Sequence, residues 1–173
     1  MTLVASNPSG EPLANSTAYL DGERIHLPAG FAEVRVRPGP HNLTIYWHGV
    51  EVYRGSVTFD APRIYRILCA VYTLSVYVKD WAGRPISGVE VSLKGKGLSR
   101  VATSGLGGLA TFKDVPGGEY LLSCGPVELL LRLRGDESLS LHLPPPLPLL
   151  ALPLILAALV ALAFYLIVKR SAL

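Results

Sequence analysis

The stretch LSVYVKDWAGRPISGVEVSLKG, residues 74–95, contains two alternating runs on either side of a loop with glycine and proline. Its regularly spaced apolar residues are Leu74, Val76, Val78, Val89, Val91 and Leu93. A two-residue period predicts β-strands that bury one face and expose the other. The segment between the runs favours a turn because glycine accepts positive φ angles and proline fixes φ. The stretch therefore predicts two strands of half-buried antiparallel sheet.

The same alternation runs through the rest of the first 143 residues. Clear examples are residues 32–37, 127–134 and 139–143. Short glycine-containing breaks that suit hairpins separate the runs, as at Asp21-Gly22 and His48-Gly49. The alternation changes phase near Arg54-Gly55, which predicts a β-bulge there. No stretch before residue 147 has a helical period, so we expect an all-β fold up to that point.

An internal repeat relates the two halves of this region. Residues 9–20 parallel residues 82–93, and residues 30–39 parallel residues 108–117. The offset grows from 73 (82 − 9) to 78 (108 − 30), and we expect the extra residues near the turn at residues 94–97. A repeat of this size predicts two tandem copies of one domain, residues 1–72 and residues 73–143. Each copy has the length and turn spacing of a seven-stranded β-sandwich.

The second copy carries a recognisable order of motifs. They are residues 74–80, residues 83–89, Thr103, residues 108–112 and residues 116–120. This order resembles the carboxypeptidase regulatory-like domain, a transthyretin-like β-sandwich with immunoglobulin-type topology. The first copy departs from the pattern, since Asn42 is expected where Tyr120 stands in the second. The resemblance implies a module without an active site and an accessory, adhesive or spacer role, although a fold alone does not give a function.

A long apolar run follows the sandwiches. Residues 147–168 contain no charged residue, and as a helix they would rise about 33 Å, enough to cross a bilayer core. We therefore predict a proline-rich spacer at residues 144–148, a single transmembrane helix at residues 149–168 and a basic tail at residues 169–173. Ala157 and Ala161 are spaced four apart and could pack against a partner helix.

Basic residues at the end of this run predict its orientation. Lys169 and Arg170 follow the apolar run directly, and the positive-inside rule then places the C-terminus in the cytoplasm and both sandwiches outside the cell. No signal peptide precedes the first copy in this sequence. Three explanations stay open: a missing leader, a longer surface protein, or a tail-anchored protein with cytosolic sandwiches. The basic flank and the acceptor sequons at Asn15 and Asn42 favour export.

Composition limits the classes of partner. Before Pro146 the chain has 14 Lys and Arg against 13 Asp and Glu, so the net charge of +3 comes mostly from the tail. A nearly neutral domain lacks the basic face that nucleic acids require, and we expect no nucleic-acid partner. Glutamine is absent, asparagine occurs three times and proline 14 times. This usage is typical of thermophile proteins, archaeal ones included.

Few residues have the spacing of a chemical site. Cys69 and Cys124 could form a disulfide outside the cell or remain buried thiols, and two cysteines cannot complete a zinc site. Asp80 and Asp114 could bind calcium, but aspartates in turns usually cap their own backbone. The four histidines lack metal spacing, and no catalytic or phosphate-binding motif is present. We therefore predict no catalytic residue, no metal and no cofactor.

Two kinds of surface site remain as predictions. Asn15 and Asn42 lie in acceptor sequons for N-glycosylation. Five aromatic residues are predicted near the junction of the copies, where they either bind a partner or pack the copies together: Tyr46, Tyr53, Tyr65, Tyr77 and Trp81.

These features together predict a non-enzymatic protein. The sequence favours a membrane-anchored, single-pass scaffold or binding protein at the cell surface, with the membrane, a protein and a glycan as its classes of partner. The alternative is an accessory subunit of a membrane complex, held by its transmembrane helix.

Overall fold

The fold is seen in a computed structural model that describes residues 1–145 and Ala157. Residues 1–145 form fourteen strands and one 3-10 turn, Leu106–Gly108, which confirms the all-β prediction for this part of the chain. Among the described residues, no helix has the length and apolarity needed to span a membrane. Apart from Ala157, the predicted transmembrane helix lies outside the described residues. The spacer from residue 146 onward, Ala161 and the basic tail with Lys169 and Arg170 lie outside them as well.

The strands divide into two sets of seven. The first set is β1 (Thr2–Ser6), β2 (Ser16–Leu20), β3 (Glu23–Leu27), β4 (Phe31–Glu33), β5 (Gly39–Trp47), β6 (Val50–Phe59) and β7 (Ile64–Leu68). The second set is β8 (Val71–Lys79), β9 (Glu90–Gly95), β10 (Leu98–Thr103), β11 (Leu109–Pro116), β12 (Gly118–Cys124), β13 (Val127–Leu133) and β14 (Glu137–His142).

Both sets have the same topology. The first forms a sheet in the order β4-β1-β7 and another in the order β3-β2-β5-β6. The second forms β11-β8-β14 and β10-β9-β12-β13, which is the same order with every strand advanced by seven. In each set the first and last strands pair in parallel, and the other pairs are antiparallel. The sequence parallel between the halves therefore reflects strands that occupy matching places.

Each set of strands contributes one buried apolar cluster. Leu3 of β1 and Ile45 of β5 belong to the first cluster although they come from different sheets, so these two sheets pack face to face as a sandwich. Val76 of β8 and Leu122 of β12 do the same in the second cluster. All four side chains are fully buried, as expected when every second residue of a strand points inward.

A two-residue connector joins the two sets. Strand β7 ends at Leu68 and β8 begins at Val71, so Cys69-Ala70 form the connector. The Ala70 amide donates to the Val52 carbonyl of β6, and the Gly117 amide donates to the Ala70 carbonyl, each at 2.8 Å. The Asn7 side-chain amide also donates to an Asp114 carboxylate oxygen at 3.5 Å. The connector is therefore held by hydrogen bonds from both sides.

A longer hairpin in the second half explains most of the growth of the offset from 73 to 78, and two register shifts lie elsewhere in the sheets. The β2–β3 hairpin closes at the pair Leu20 and Glu23, whereas the β9–β10 hairpin continues to Gly95 and Leu98. On β6 the register shifts opposite Ile45 and Tyr46, so the predicted bulge lies at Val52 rather than at Arg54-Gly55. A second register shift lies in β11 between Phe112 and Val115. It inserts one more residue in the second half.

Two matching glycines lie where the chain passes close to itself. Gly30 and Gly108 both have positive φ, 81° and 74°. A Cβ at Gly108 would lie 3.1 Å from Pro85 Cβ and 3.2 Å from the Ile86 nitrogen, and it would clash with the Val78 carbonyl. The neighbouring Gly107 also has positive φ, but a Cβ there would meet nothing within 4 Å. Gly107 thus provides a control for backbone strain without steric clash.

We predict that Gly108→Ala destabilises the protein more than Gly107→Ala. Both substitutions place an L side chain in the left-handed region, which costs about 1–2 kcal/mol. Only Gly108→Ala adds a clash with the backbone, which costs about 1–3 kcal/mol more. Thermal unfolding of the full chain, followed by circular dichroism, compares the two variants. Equal losses would contradict the close approach at Gly108.

Candidate functional site: an aromatic groove on one sheet

The outward face of the β3-β2-β5-β6 sheet contains two neighbouring tyrosines. Tyr19 on β2 pairs with Thr44 on β5, and Thr17 pairs with Tyr46, so the two rings lie on a diagonal of the antiparallel ladder. Their centroids are 5.7 Å apart at an interplanar angle of 84°, the edge-to-face arrangement that aromatic quadrupoles favour. Tyr19 remains 37% exposed. The pair is therefore ordered and still accessible.

These tyrosines form the floor of an open groove of about 490 Å³. Arg24 on β3 pairs with Tyr19 in the ladder and forms one side. The loop before β2 and the turn between β5 and β6 complete the lining. The lining residues are Asn15, Thr17, Tyr19, Arg24, Thr44, Tyr46, His48 and Gly49. Hydroxyl, amide, imidazole and guanidinium groups thus surround an aromatic pair, and we call this site the tyrosine groove.

The charged side chains around the groove differ in whether they have an ion-pair partner among the described residues. Glu51, beside the groove, forms an ion pair with Arg54 and accepts a hydrogen bond from its guanidinium. This hydrogen bond holds the pKa of the Glu51 carboxyl below its usual value. The Tyr46 hydroxyl lies 3.5 Å from the same carboxylate. Arg24 makes no ion pair within residues 1–145 and Ala157. The groove therefore presents a guanidinium whose charge is not neutralised by a described partner.

The second half has no counterpart of this groove at the matched positions. Leu20 pairs with Leu43, as Leu93 pairs with Leu122, which places Ser92 at the position of Tyr19. The fold accepts a serine at this outward position. The topology therefore does not require a tyrosine at position 19, which indicates that Tyr19 has a role at the surface.

The structure separates the five predicted interaction aromatics. Tyr46 lies in the groove, but its ring partner is Tyr19, which the sequence did not single out. Tyr53 packs against the first core, and Tyr65 is 8% exposed with its hydroxyl bonded to Asp60. Tyr77 and Trp81 are exposed on other elements of the second half. No ring contact among the described residues joins two of the five.

Both sequon asparagines are exposed. Asn15 has a φ of 57° and lies at one end of the groove. Asn42 lies on β5, and its backbone amide donates a hydrogen bond to an Asp21 carboxylate oxygen. The sequon threonines, Thr17 and Thr44, line the groove itself. Glycosylation at either asparagine stays a prediction.

A histidine occupies the corner where the second half has a tyrosine. The Tyr120 hydroxyl donates to the Pro116 carbonyl, four residues back, at 2.7 Å. His41 Nε2 bonds in the same way to the Arg37 carbonyl at 2.8 Å. The bulge in β11 shifts the alignment by one residue, so His41, and not Asn42 as the sequence predicted, is the counterpart of Tyr120. Tyrosine corners of this kind recur in immunoglobulin-like sandwiches.

The second nitrogen of His41 also faces an acceptor. His41 Nδ1 lies 2.5 Å from an Asp21 carboxylate oxygen. Because a carbonyl and a carboxylate only accept hydrogen bonds, the imidazolium, with two N–H donors, fits both. The Asp21 hydrogen bond raises the pKa of His41, and the His41 hydrogen bond lowers the pKa of Asp21.

The remaining candidate residues have structural roles. Cys69 and Cys124 are free and buried, one in each apolar cluster, so the disulfide alternative is wrong in this structure. Asp80 accepts hydrogen bonds from the Ala82 and Arg84 amides at 2.8 Å, as expected of a turn cap. Within residues 1–145 and Ala157, no three His, Cys, Asp or Glu residues are grouped so that they could hold a metal ion.

No protein-family profile and no curated protein matches this chain. Among solved structures, the minor pilin GBS52 of Streptococcus agalactiae is similar, with 13% identity, a TM-score of 0.40, and coverage of 84% of this chain and 96% of that one. The Bacillus cereus major pilin BcpA has 10% identity, a TM-score of 0.40, and coverage of 75% and 54%. The Bacillus anthracis TIE protein has 12% identity and a TM-score of 0.39. The match covers 83% of this chain and spans 33% of that protein. These likenesses are distant.

We predict that His41 makes stability depend on pH. Its pKa is raised in the folded state, so its contribution is complete below the ordinary value of 6.5 and is lost as the pH rises through the raised value. The unfolding temperature of His41→Gln should therefore be lower than that of the unsubstituted protein at about pH 5.5. At about pH 9 the two unfolding temperatures should be nearly equal.

Two further variants sharpen this test. His142→Gln removes an exposed histidine and should show no such pH dependence. His41→Tyr supplies the side chain found at Tyr120 and should remove the pH dependence while keeping the corner hydrogen bond. A deficit of His41→Gln that is the same at both pH values would contradict the charged pair.

We also predict that neither cysteine reacts with maleimide in the folded protein at about pH 7.5. Burial raises the pKa of Cys69 to about 12 and raises that of Cys124, so almost no thiolate is present, and both sulfurs are inaccessible. Mass spectrometry should show no adduct before denaturation and two adducts after it. Modification of either residue in the folded chain would refute this.

Proposed function

We propose that this chain is a non-catalytic binding and scaffold protein at the cell surface. Its two tandem sandwich domains, residues 1–72 and residues 73–143, would be carried on a single membrane-spanning helix at residues 149–168. The tyrosine groove would be the binding element of the first domain. The second domain and the proline-rich segment would hold this groove away from the membrane.

The tyrosine groove is the observation that carries this proposal. Tyr19 and Tyr46 point outward from a complete sandwich, at positions that the core does not need. A large aromatic residue in water costs hydration free energy unless a partner covers it, and tyrosines are enriched where proteins bind partners. Ser92 at the matched place shows that the same fold accepts a small polar residue there. The aromatic pair therefore fits a binding role.

The connector supports the scaffold part of the proposal. Ala70 bonds to Val52 on one side and to Gly117 on the other, and Asn7 contacts Asp114 across the junction. A connector without a glycine- or serine-rich linker limits free rotation of the two strand sets. Such a joint would hold a binding site at a fixed distance from its anchor.

The proposed orientation is tested with engineered cysteines, because the native ones are buried. Ser9 is exposed in the first domain, and Ser171 lies in the tail beside Lys169 and Arg170. In intact native cells, a membrane-impermeant maleimide should label Ser9→Cys but not Ser171→Cys. After lysis both should be labelled, and the unsubstituted chain should remain unlabelled throughout.

The opposite pattern has an equally clear meaning. Labelling of Ser171→Cys alone in intact cells would mean that the sandwiches are cytosolic. Recovery of the full chain from the soluble fraction without detergent would contradict the predicted membrane anchor. Either result would end the cell-surface proposal.

A further inference from the structure

We propose that the tyrosine groove binds an acidic glycan, with pyranose rings against Tyr19 and Tyr46 and a sugar carboxylate paired with Arg24. This inference deepens the proposed binding function, on which it rests, by naming the class of ligand. The partner would be a polysaccharide that contains uronic acids. It would be supplied from outside the chain.

The aromatic floor of the groove suits a sugar ring. One face of a pyranose presents several C–H groups that carry a slight positive charge, and the face of a tyrosine ring is slightly negative. Tyr19 and Tyr46 meet edge to face, so the rings offer two differently inclined surfaces. Tyrosine also loses little conformational entropy on binding, since it has only two rotatable side-chain angles.

The polar lining supplies the groups that hydroxyl-rich ligands need. The Thr17 and Thr44 hydroxyls donate and accept hydrogen bonds, and the Asn15 amide does both as well. These side chains belong to three different segments that the sheet and its loop bring together. A volume of about 490 Å³ is within the range of small-ligand sites.

Arg24 indicates that the ligand is acidic. Its guanidinium is the one lining group among the described residues that carries a permanent charge, and no described ion pair neutralises it. A guanidinium binds a carboxylate through two parallel hydrogen bonds, which gives orientation as well as attraction. A uronic acid places such a carboxylate on the same ring that stacks on tyrosine.

The location of the groove disfavours a peptide that binds by strand addition. Such a peptide pairs with a free sheet edge, where backbone groups are unpaired. Strands β2 and β5 are each paired on both sides, in the order β3-β2-β5-β6. Only Arg24 lies on an edge strand, β3, so the part of the groove around the two tyrosines offers side chains and not a strand edge. This suits a ligand without a peptide backbone.

The test uses the full chain purified from a host without N-glycosylation, which leaves Asn15 bare. The detergent must lack a sugar headgroup, because a maltoside would compete for the groove. Isothermal titration with hexagalacturonate should show binding. Cellohexaose, which has similar rings without charge, should bind at least about tenfold more weakly. Hexaglutamate, which has the charge without the rings, should do the same.

Variants locate the binding in the groove. Tyr19→Ser introduces the residue found at Ser92, and it should weaken hexagalacturonate binding by about tenfold or more, as should Tyr46→Ser. Arg24→Gln should weaken hexagalacturonate binding and leave cellohexaose binding unchanged. Phe31→Ser removes an exposed aromatic side chain from the other sheet of the same half and should bind as the unsubstituted chain does. Unchanged unfolding temperatures show that each variant is folded.

Three results would overturn the inference. They are no binding of hexagalacturonate, binding of cellohexaose or hexaglutamate with equal affinity, and an equal loss in Phe31→Ser and Tyr19→Ser. Binding by the purified chain does not depend on which side of the membrane the sandwiches occupy in the cell. Failure here is therefore distinct from failure of the cell-surface proposal, which cysteine labelling decides.

Discussion

The burial of alternate side chains on the central strands is the constraint on which the rest of the structure depends. On β5, Leu43, Ile45 and Trp47 point into the first core, and this fixes the register with β2. A slip of one residue would exchange the two faces and expose the core, so the register is strongly determined. Once the register is fixed, the neighbours of each outward residue are fixed as well. Tyr19 and Tyr46 meet because the inward residues around them must be buried.

The two halves show what a shared core leaves free. Their strand orders agree, and their inward positions are filled by comparable apolar residues. Their outward positions differ, with Tyr19 in one half and Ser92 in the other. The corner differs too, since His41 with Asp21 replaces the uncharged hydroxyl of Tyr120. The first half thus combines a charge-dependent corner with an aromatic groove on one sheet, and the second half has neither at the matched positions.

Much of the fold could be predicted from local patterns because burial of a strand depends on a two-residue period. The alternation around Leu74 and Leu93 located strands β8 and β9, and the repeat anticipated matching halves. The corner could not be assigned correctly. A bulge between Phe112 and Val115 adds a residue that motif spacing does not reveal, and this moved the expected counterpart of Tyr120 from His41 to Asn42. A bulge changes the register of a strand, but the residue types around it do not reveal how many residues it adds.

The sequence by itself determined the alternation, the turn positions, the internal repeat and the apolar run that predicts an anchor, because each is a property of neighbouring residues. Only the tertiary structure decided which outward side chains share a surface. It left Cys69 and Cys124 in separate cores and dispersed the predicted aromatics. It joined Tyr46 to a tyrosine that the sequence had not selected. The physical reason is that contacts across a sheet depend on the pairing of strands distant in sequence, and this pairing is fixed only when both faces of the sandwich pack.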